Sequence, residues 1–334
     1  MRFLGKHKYR NFESSKISKK QVIYNLGFIS DANSFQALKH QVMGLALNPI
    51  GYADIGDFAS QNNGGENIDL QLATNFANRV DAIVFCQSST LSPKLISHFI
   101  KHSKHLLLNE SMADMLHEVD NFSKLLNESG TVVQFGNMER NAPVFTTLRQ
   151  FLKSPKYCKI ERWTKERGNL EALLVKDIDM ALHCFNTGIK KVSCHTQNVF
   201  SNYVDMITLK IEFNNGGSAD ILLHATANED KTTGLFIDQD RYYKVDFDQH
   251  EIIEVKNSYN NQLSLIDDEV SQAMPTEQHK KVMYFEPQRK EFVNFVENIS
   301  YGFTPLVNLD DAQKIAFVLN KARAIMQRNC VSWE

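Results

Sequence analysis

The chain is expected to be an α/β protein. Its first part reads as a doubly wound parallel sheet, and its second as an α+β unit with an open, mostly antiparallel sheet. Three observations predict this. Short apolar runs alternate with helix-period segments as far as residue 136. Strand-like runs then follow one another between residues 191 and 256. A length of 334 residues exceeds what one ordinary hydrophobic core holds. Strands and helices alternating at this spacing pack as a parallel sheet covered on both faces, joined by right-handed crossovers.

Taken in order, QVIYNLG (21–27) is a first strand ending in glycine. SFQALKHQVMGLAL (34–47) has helical apolar spacing, with Asn33 and Ser34 as N-cap candidates. IGYADI (50–55) is a second strand, IDLQLATNFANR (68–79) a helix, and DAIVFCQ (81–87) a buried strand. SPKLISHFIKHS (92–103) places proline in the first turn of a helix, where its missing N–H costs nothing. HLLLN (105–109), ADMLHEVDNFSKLLNES (113–129) and TVVQFG (131–136) add strand, helix and strand. These elements assign residues 1–20 to a basic tail, 21–138 to a nucleotide-binding type of domain, and 139–334 to the second domain. The second domain opens with a bridging helix, NAPVFTTLRQFLK (141–153), and a helix near 177–186. Six strand-like runs follow, two of them joined by Asn214, Asn215, Gly216 and Gly217, a hairpin signal. Helices at 287–301 and 309–328 close the chain.

Composition excludes several classes. A net charge of −2 supplies no basic field for nucleic acid. No window offers the roughly 18 apolar residues of a membrane span. The N-terminus MRFLGKHKYRNFESSKISKK is basic but lacks the apolar core of a signal peptide. The five cysteines (Cys86, Cys158, Cys184, Cys194 and Cys330) form no CxxC pair, so reduced thiols in a cytoplasmic protein are expected, with no metal site.

A doubly wound sheet binds nucleotides at the carboxyl ends of its strands, where a glycine-rich turn meets a helix N-terminus. Asn25 to Ser30 align with the six-residue GxGxxG pattern and retain only its central glycine, Gly27, with bulky Phe28 and Ile29 beside it. An acid that holds ribose hydroxyls should end the second strand; Asp54 stands 27 residues after Gly27, with Asp57 as second choice. An acid there favours NAD over NADP. Gln87, Ser88 and Ser89 follow the third strand, on the side where nicotinamide would lie. Each of these residues also has an ordinary reading: a plain βαβ turn, a strand-end acid, polar loop filler.

The stretch DAIVFCQSSTLSPKLISHFIKHSKHLLLNESMA resembles the segment DAVVIATP..LH...A..AL..GKHVLVEKPLA of the glucose–fructose oxidoreductase and inositol dehydrogenase family (Gfo/Idh/MocA). VVQFGNMERNAPVFTTLRQFL, VKDIDMALHCFNTGIKKV and the final two helices are similar to later motifs of that family, in the same order. The resemblance implies a Rossmann domain, an open-faced α/β domain, NAD or NADP as cofactor, and oxidation or reduction of a sugar-like, nucleotide-sugar or cyclitol hydroxyl. It also implies a homodimer or tetramer built through the second sheet.

The departures fall on the chemistry. The family's EKP reads Asn109, Glu110, Ser111, so Glu110 replaces its lysine beside nicotinamide and substrate. Its DxxxH reads Ala172 to Lys176, so Lys176 replaces the general-base histidine. Asp177 and Asp179 match the acids of HDxD, and Asn137, Glu139 and Arg140 match the GHxxR region. Glu110, Lys176, Asp177 and Asp179 are therefore the expected catalytic set, with Glu110 paired to Lys176. Gly27, Phe28, Ile29, Asp54, Gln87, Ser88, Asn109 and Glu110 are the expected cofactor contacts. Two other outcomes stay open: a non-catalytic relative that keeps the scaffold for ligand sensing or complex formation, and a lyase or hydrolase.

Overall fold

The computed structural model describes residues 22–58, 68–86, 93–108, 119–136, 138–165, 170–200, 204–256 and 276–328. The first sheet contains β1 (Tyr24–Ile29), β2 (Leu47–Ala53), β3 (Ala82–Phe85), β4 (His105–Leu108) and β5 (Val133–Phe135) in the order β2-β1-β3-β4-β5. All its strand pairs are parallel. The order reverses between β1 and β3, which puts a ligand crevice outside their carboxyl ends. All four residues of β3 are buried, as suits a strand covered on both faces.

The covering helices are α1 (Ala32–Val42), α2 (Leu70–Ala77), α3 (Pro93–Lys101) and α4 (Val119–Ser129). Leu26, Phe28, Ala82, Val84 and Leu107 pack with Phe35, Leu38 and Val42 of α1 on one face. Ile29, Ile83, Phe85, Leu106 and Leu108 pack with α2 and α3 on the other.

Beyond β5 come α5 (Met138–Asn141), α6 (Pro143–Phe151), β6 (Tyr157–Trp163) and α7 (Leu170–Phe185). The second sheet adds β7 (Ile189–Gln197), β8 (Met206–Phe213), β9 (Ser218–His224), β10 (Lys231–Ile237), β11 (Arg241–Asp246), β12 (Glu251–Lys256) and β13 (Thr276–Lys281). Its order is β13-β12-β11-β10-β6-β9-β8-β7. Only β6 and β9 run parallel among its described pairs. The predicted hairpin is present: Phe213 N–H donates to the Gly217 carbonyl, and Gly216 takes a φ of +82°, which a side chain would resist. α6, α7 and α9 (Leu309–Arg328) lie against one face. On the other face a depression of about 450 Å³ is lined by Lys159, Glu161, Leu235, Lys244 and Ile253 among others.

The last two helices do not belong to the second sheet alone. α8 (Pro287–Tyr301) buries Phe292 and Phe295 against the β1, β3 and β4 side chains beside α1. Arg289 donates to the carbonyls of Gln41 and Met43 at the end of α1. Buried Gln134 of β5 donates to the Glu291 carbonyl and accepts from Asn298. The C-terminal segment thus completes the cover of the N-terminal sheet.

Three local expectations are corrected. The α1 cap is Asp31, which accepts from the Asn33 and Ser34 amides; those two residues are donors, not caps. The helix expected near 177–186 begins earlier, at Leu170, so Asp177 is a mid-helix residue. β6 and β13 flank the expected meander unannounced, because neither alternates apolar with polar residues cleanly. β13 is an edge strand of mostly charged and polar residues, held to β12 by Lys280–Glu254 and His279–Glu251 contacts. No helix among the described residues is long and apolar enough to cross a membrane.

Candidate functional site

The turn at the crevice is set by where β1 stops. The strand runs through Ile29, and α1 starts at Ala32. Gly27, Phe28 and Ile29 therefore lie inside β1 rather than in a cofactor turn, a correction to the expected register. Gly27 pairs with Gly51 and Ile83, and the space where its Cβ would stand is filled by Phe76 and Val80 of the α2 side. Phe28 and Ile29 are core side chains on opposite faces of the sheet. The six positions that follow the strand are Ser30, Asp31, Ala32, Asn33, Ser34 and Phe35, and none is glycine.

Both sides of this turn are tied down. Ser30 N–H donates to the Ala53 carbonyl at 3.0 Å, and Cys86 N–H donates to the Ile29 carbonyl at 3.0 Å. Asp31 Oδ1 takes the Asn33 and Ser34 amides at 2.8 and 2.9 Å, and its Oδ2 takes the Ser34 hydroxyl at 2.7 Å. The Ser34 amide and hydroxyl hold the Asp31 carboxyl below its ordinary range, so it is anionic at neutral pH. Phe35, at the third glycine position, packs between Phe28 and Tyr52. The Ser30 hydroxyl is buried and has no hydrogen-bond partner among the described residues. Asp54 follows β2 as expected; its Oδ1 accepts from the Gly56 amide, and Asp57 Oδ2 accepts from the Asp54 amide.

A second set of groups gathers where α5 leaves the carboxyl edge of the first sheet and meets α7 and β6. Asp177 has no exposed surface and accepts three hydrogen bonds from Arg162, the shortest 2.6 Å. Burial opposes the Arg162 charge, but Asp177 more than offsets it and holds the guanidinium above its usual range. Glu139 of α5 lies 3.4 Å from Lys176 Nζ and 4.0 Å from Arg162. Asp179, also fully buried, is gripped by Arg140, which reaches Asp311 of α9 at 3.2 Å as well. His183, one turn further along α7, is pushed down to about 3 by burial and by Arg140 and Arg149, so its ring is neutral.

The structure therefore brings Lys176, Asp177 and Asp179 to one junction, each already engaged by a partner of opposite charge. Arg162 and Arg140 are the decisive partners. Arg140 fell within a recognised motif region, whereas nothing in the sequence around Arg162 marked it. Gln87, Ser88, Asn109 and Glu110 lie outside the described residues, as does the Glu110 half of the expected Glu110–Lys176 pair. Cys86, Cys158, Cys184 and Cys194 form no disulfide among the described residues, and no cluster of metal-ligand type occurs among those residues.

The sequence resemblance implies a nicotinamide dinucleotide, and the described turn does not fit its pyrophosphate. Such a group needs free helix-terminal amides and close backbone approach. Here Asp31 takes the Asn33 and Ser34 amides and adds a negative charge, and Ala32 and Phe35 carry side chains at the glycine positions. Asp54 alone stands where a ribose-binding acid belongs.

Comparison with known proteins gives the fold a context. No protein-family model matches the chain. No curated protein matches it either. Solved structures do. UDP-N-acetylglucosamine 3-dehydrogenase GnnA from Acidithiobacillus ferrooxidans superposes with a TM-score of 0.74 at 16% identity, covering 91% of this chain and 97% of its own. A dehydrogenase from Chromobacterium violaceum gives 0.72 at 12% identity, covering 92% and 98%. An NAD binding oxidoreductase from Klebsiella pneumoniae gives 0.72 at 12% identity, covering 93% and 98%. At these identities the likeness establishes a shared two-part fold.

Proposed function

We propose that this chain binds an uncharged sugar-like molecule on a dehydrogenase scaffold and does not itself transfer hydride. The observation that carries the reading is the state of the α7 acids. Asp177 and Asp179 are fully buried and held by Arg162 and Arg140. Oxidising a hydroxyl needs a base within hydrogen-bond reach of its proton. A buried carboxylate whose oxygens are occupied by a guanidinium fork does not reach a substrate. Lys176, at the family's histidine position, is one half of an ion pair with Glu139. The sugar-like ligand class is supported by the sequence resemblance to a family acting on sugar-like and cyclitol hydroxyls.

The test uses the full chain against a panel of monosaccharides, cyclitols and nucleotide sugars. Thermal-shift titration is expected to give a saturable rise with at least one uncharged saccharide. Nicotinamide absorbance is expected to stay flat with NAD and NADP for every member. Cofactor-dependent turnover of any of them would sink the proposal.

A second reading, an NAD(P)-dependent oxidoreductase acting on a sugar, nucleotide-sugar or cyclitol hydroxyl, has two observations in its favour. Asp54 stands at the end of β2, and the Ser30 hydroxyl, unpartnered among the described residues, lies at the switch point. In that reading Glu110 and Lys176 share the proton handling. Turnover with NAD but not NADP would establish it.

A further inference from the structure

We infer that Asp31 is a built-in anion occupying the place of a dinucleotide pyrophosphate at the N-terminus of α1, so that the crevice rejects NAD, NADP and other diphosphates. The inference concerns the β1 turn and does not depend on the state of the α7 acids. Three features support it. Two amides of the first helical turn, those of Asn33 and Ser34, are donated to the Asp31 carboxylate. The turn is fastened to β2 through Ser30 and Ala53 and to β3 through Cys86 and Ile29, so it has little freedom to withdraw the carboxylate. Asp54 and Asp57 follow the neighbouring strand, so three carboxylates border the same end of the sheet. An incoming diphosphate would meet repulsion where ordinary sites offer amides and a helix dipole. A hydroxyl-bearing neutral ligand meets acceptors instead.

The chain caps α2 in the same way: Asp69 accepts the amides of Gln71 and Leu72. That second cap supplies a matched control, because α2 follows β2 and not the β1 turn. The variants are Asp31→Ser, which keeps a capping oxygen and removes the charge, and Asp31→Asn, which keeps both acceptor position and size. Ser30→Gly, Asp31→Ser and Ala32→Gly combined would open the whole turn, and Asp69→Ser is the control. Each full-length protein is titrated calorimetrically with NADH, NADPH, ADP-ribose and inorganic pyrophosphate at one fixed ionic strength, with circular dichroism melts to confirm folding.

The wild type is expected to show no half-saturation by either dinucleotide below about 1 mM. Asp31→Ser or Asp31→Asn is expected to tighten pyrophosphate and ADP-ribose binding at least fivefold, with Asp69→Ser unchanged. Wild-type half-saturation below that concentration overturns the inference. So does a gain under fivefold in both folded Asp31 variants, or an equal gain in Asp69→Ser. Dinucleotide binding by the wild type without turnover would remove this inference and leave the proposed function standing. Failure of every saccharide to bind would do the reverse.

Discussion

A methyl group on Gly27 would stand 2.6 Å from Phe76 Cζ and 2.8 Å from Val80 Cγ1. Phe76 is itself hemmed by Phe58 and Phe99, whose ring centroids lie 6.0 and 6.2 Å away. The glycine is there so that α2 can approach the strand. Gly27→Ala should therefore cost about 1–3 kcal/mol in urea denaturation, as overpacking does. Adding Phe76→Leu should recover part of that loss. A melt unchanged by Gly27→Ala would show that the strand has room, and would return this glycine to the list of possible ligand contacts. Phe28, its neighbour, points into the opposite core against Phe35.

At the scale of elements, the junction of β6 and α7 rests on a buried ion pair. Arg162 projects from β6 to Asp177 in the middle of α7, a helix in which Val175, Ile178 and Ala181 are also buried. Neither charge is cheap to bury, and each is tolerated because the other is present. Removing one partner should be worse than removing both. Arg162→Ala is expected to cost about 3–5 kcal/mol, and Arg162→Met with Asp177→Leu distinctly less, by chemical denaturation. A cost under about 1 kcal/mol for Arg162→Ala would mean that water reaches Asp177, and the view of this acid as structural would fall with it. The same logic applies to Arg140, which joins α5, α7 and α9 through Asp179 and Asp311.

For the molecule as a whole, the two sheets are not independent units. α8 belongs in sequence to the second part and in space to the first, where Phe292 and Phe295 share a cluster with Leu26, Phe28 and Val84. The Phe135 amide donates to the Val307 carbonyl, so the chain beyond α8 also meets the edge of the first sheet. Truncation before Pro287 should uncover the part of that face beside α1 and prevent the sheet from folding. Phe292→Ala and Phe295→Ala should each cost about 3–5 kcal/mol, and the intact chain should unfold in one transition. A fragment lacking residues 287–328 that retained native circular dichroism and amide protection in the first sheet would contradict this.

The sequence by itself determined the alternation that makes the first sheet parallel, the Asn-Asn-Gly-Gly hairpin and the last two helices. Each is written in contacts between near neighbours: apolar spacing, a turn that needs positive φ, a proline at a helix start. β6 and β13 escaped because their charged residues blur the apolar alternation, and the partners of Arg162 and Lys280 lie on other elements. The turn register was missed for a related reason. Gly27 looks like a loop glycine in one dimension, and only the helix packed above it shows that the strand continues. Tertiary structure alone decided that Asp177 and Asp179 would be neutralised and that α8 would roof the first sheet. Charge pairing and burial depend on distance in space, which sequence spacing does not encode.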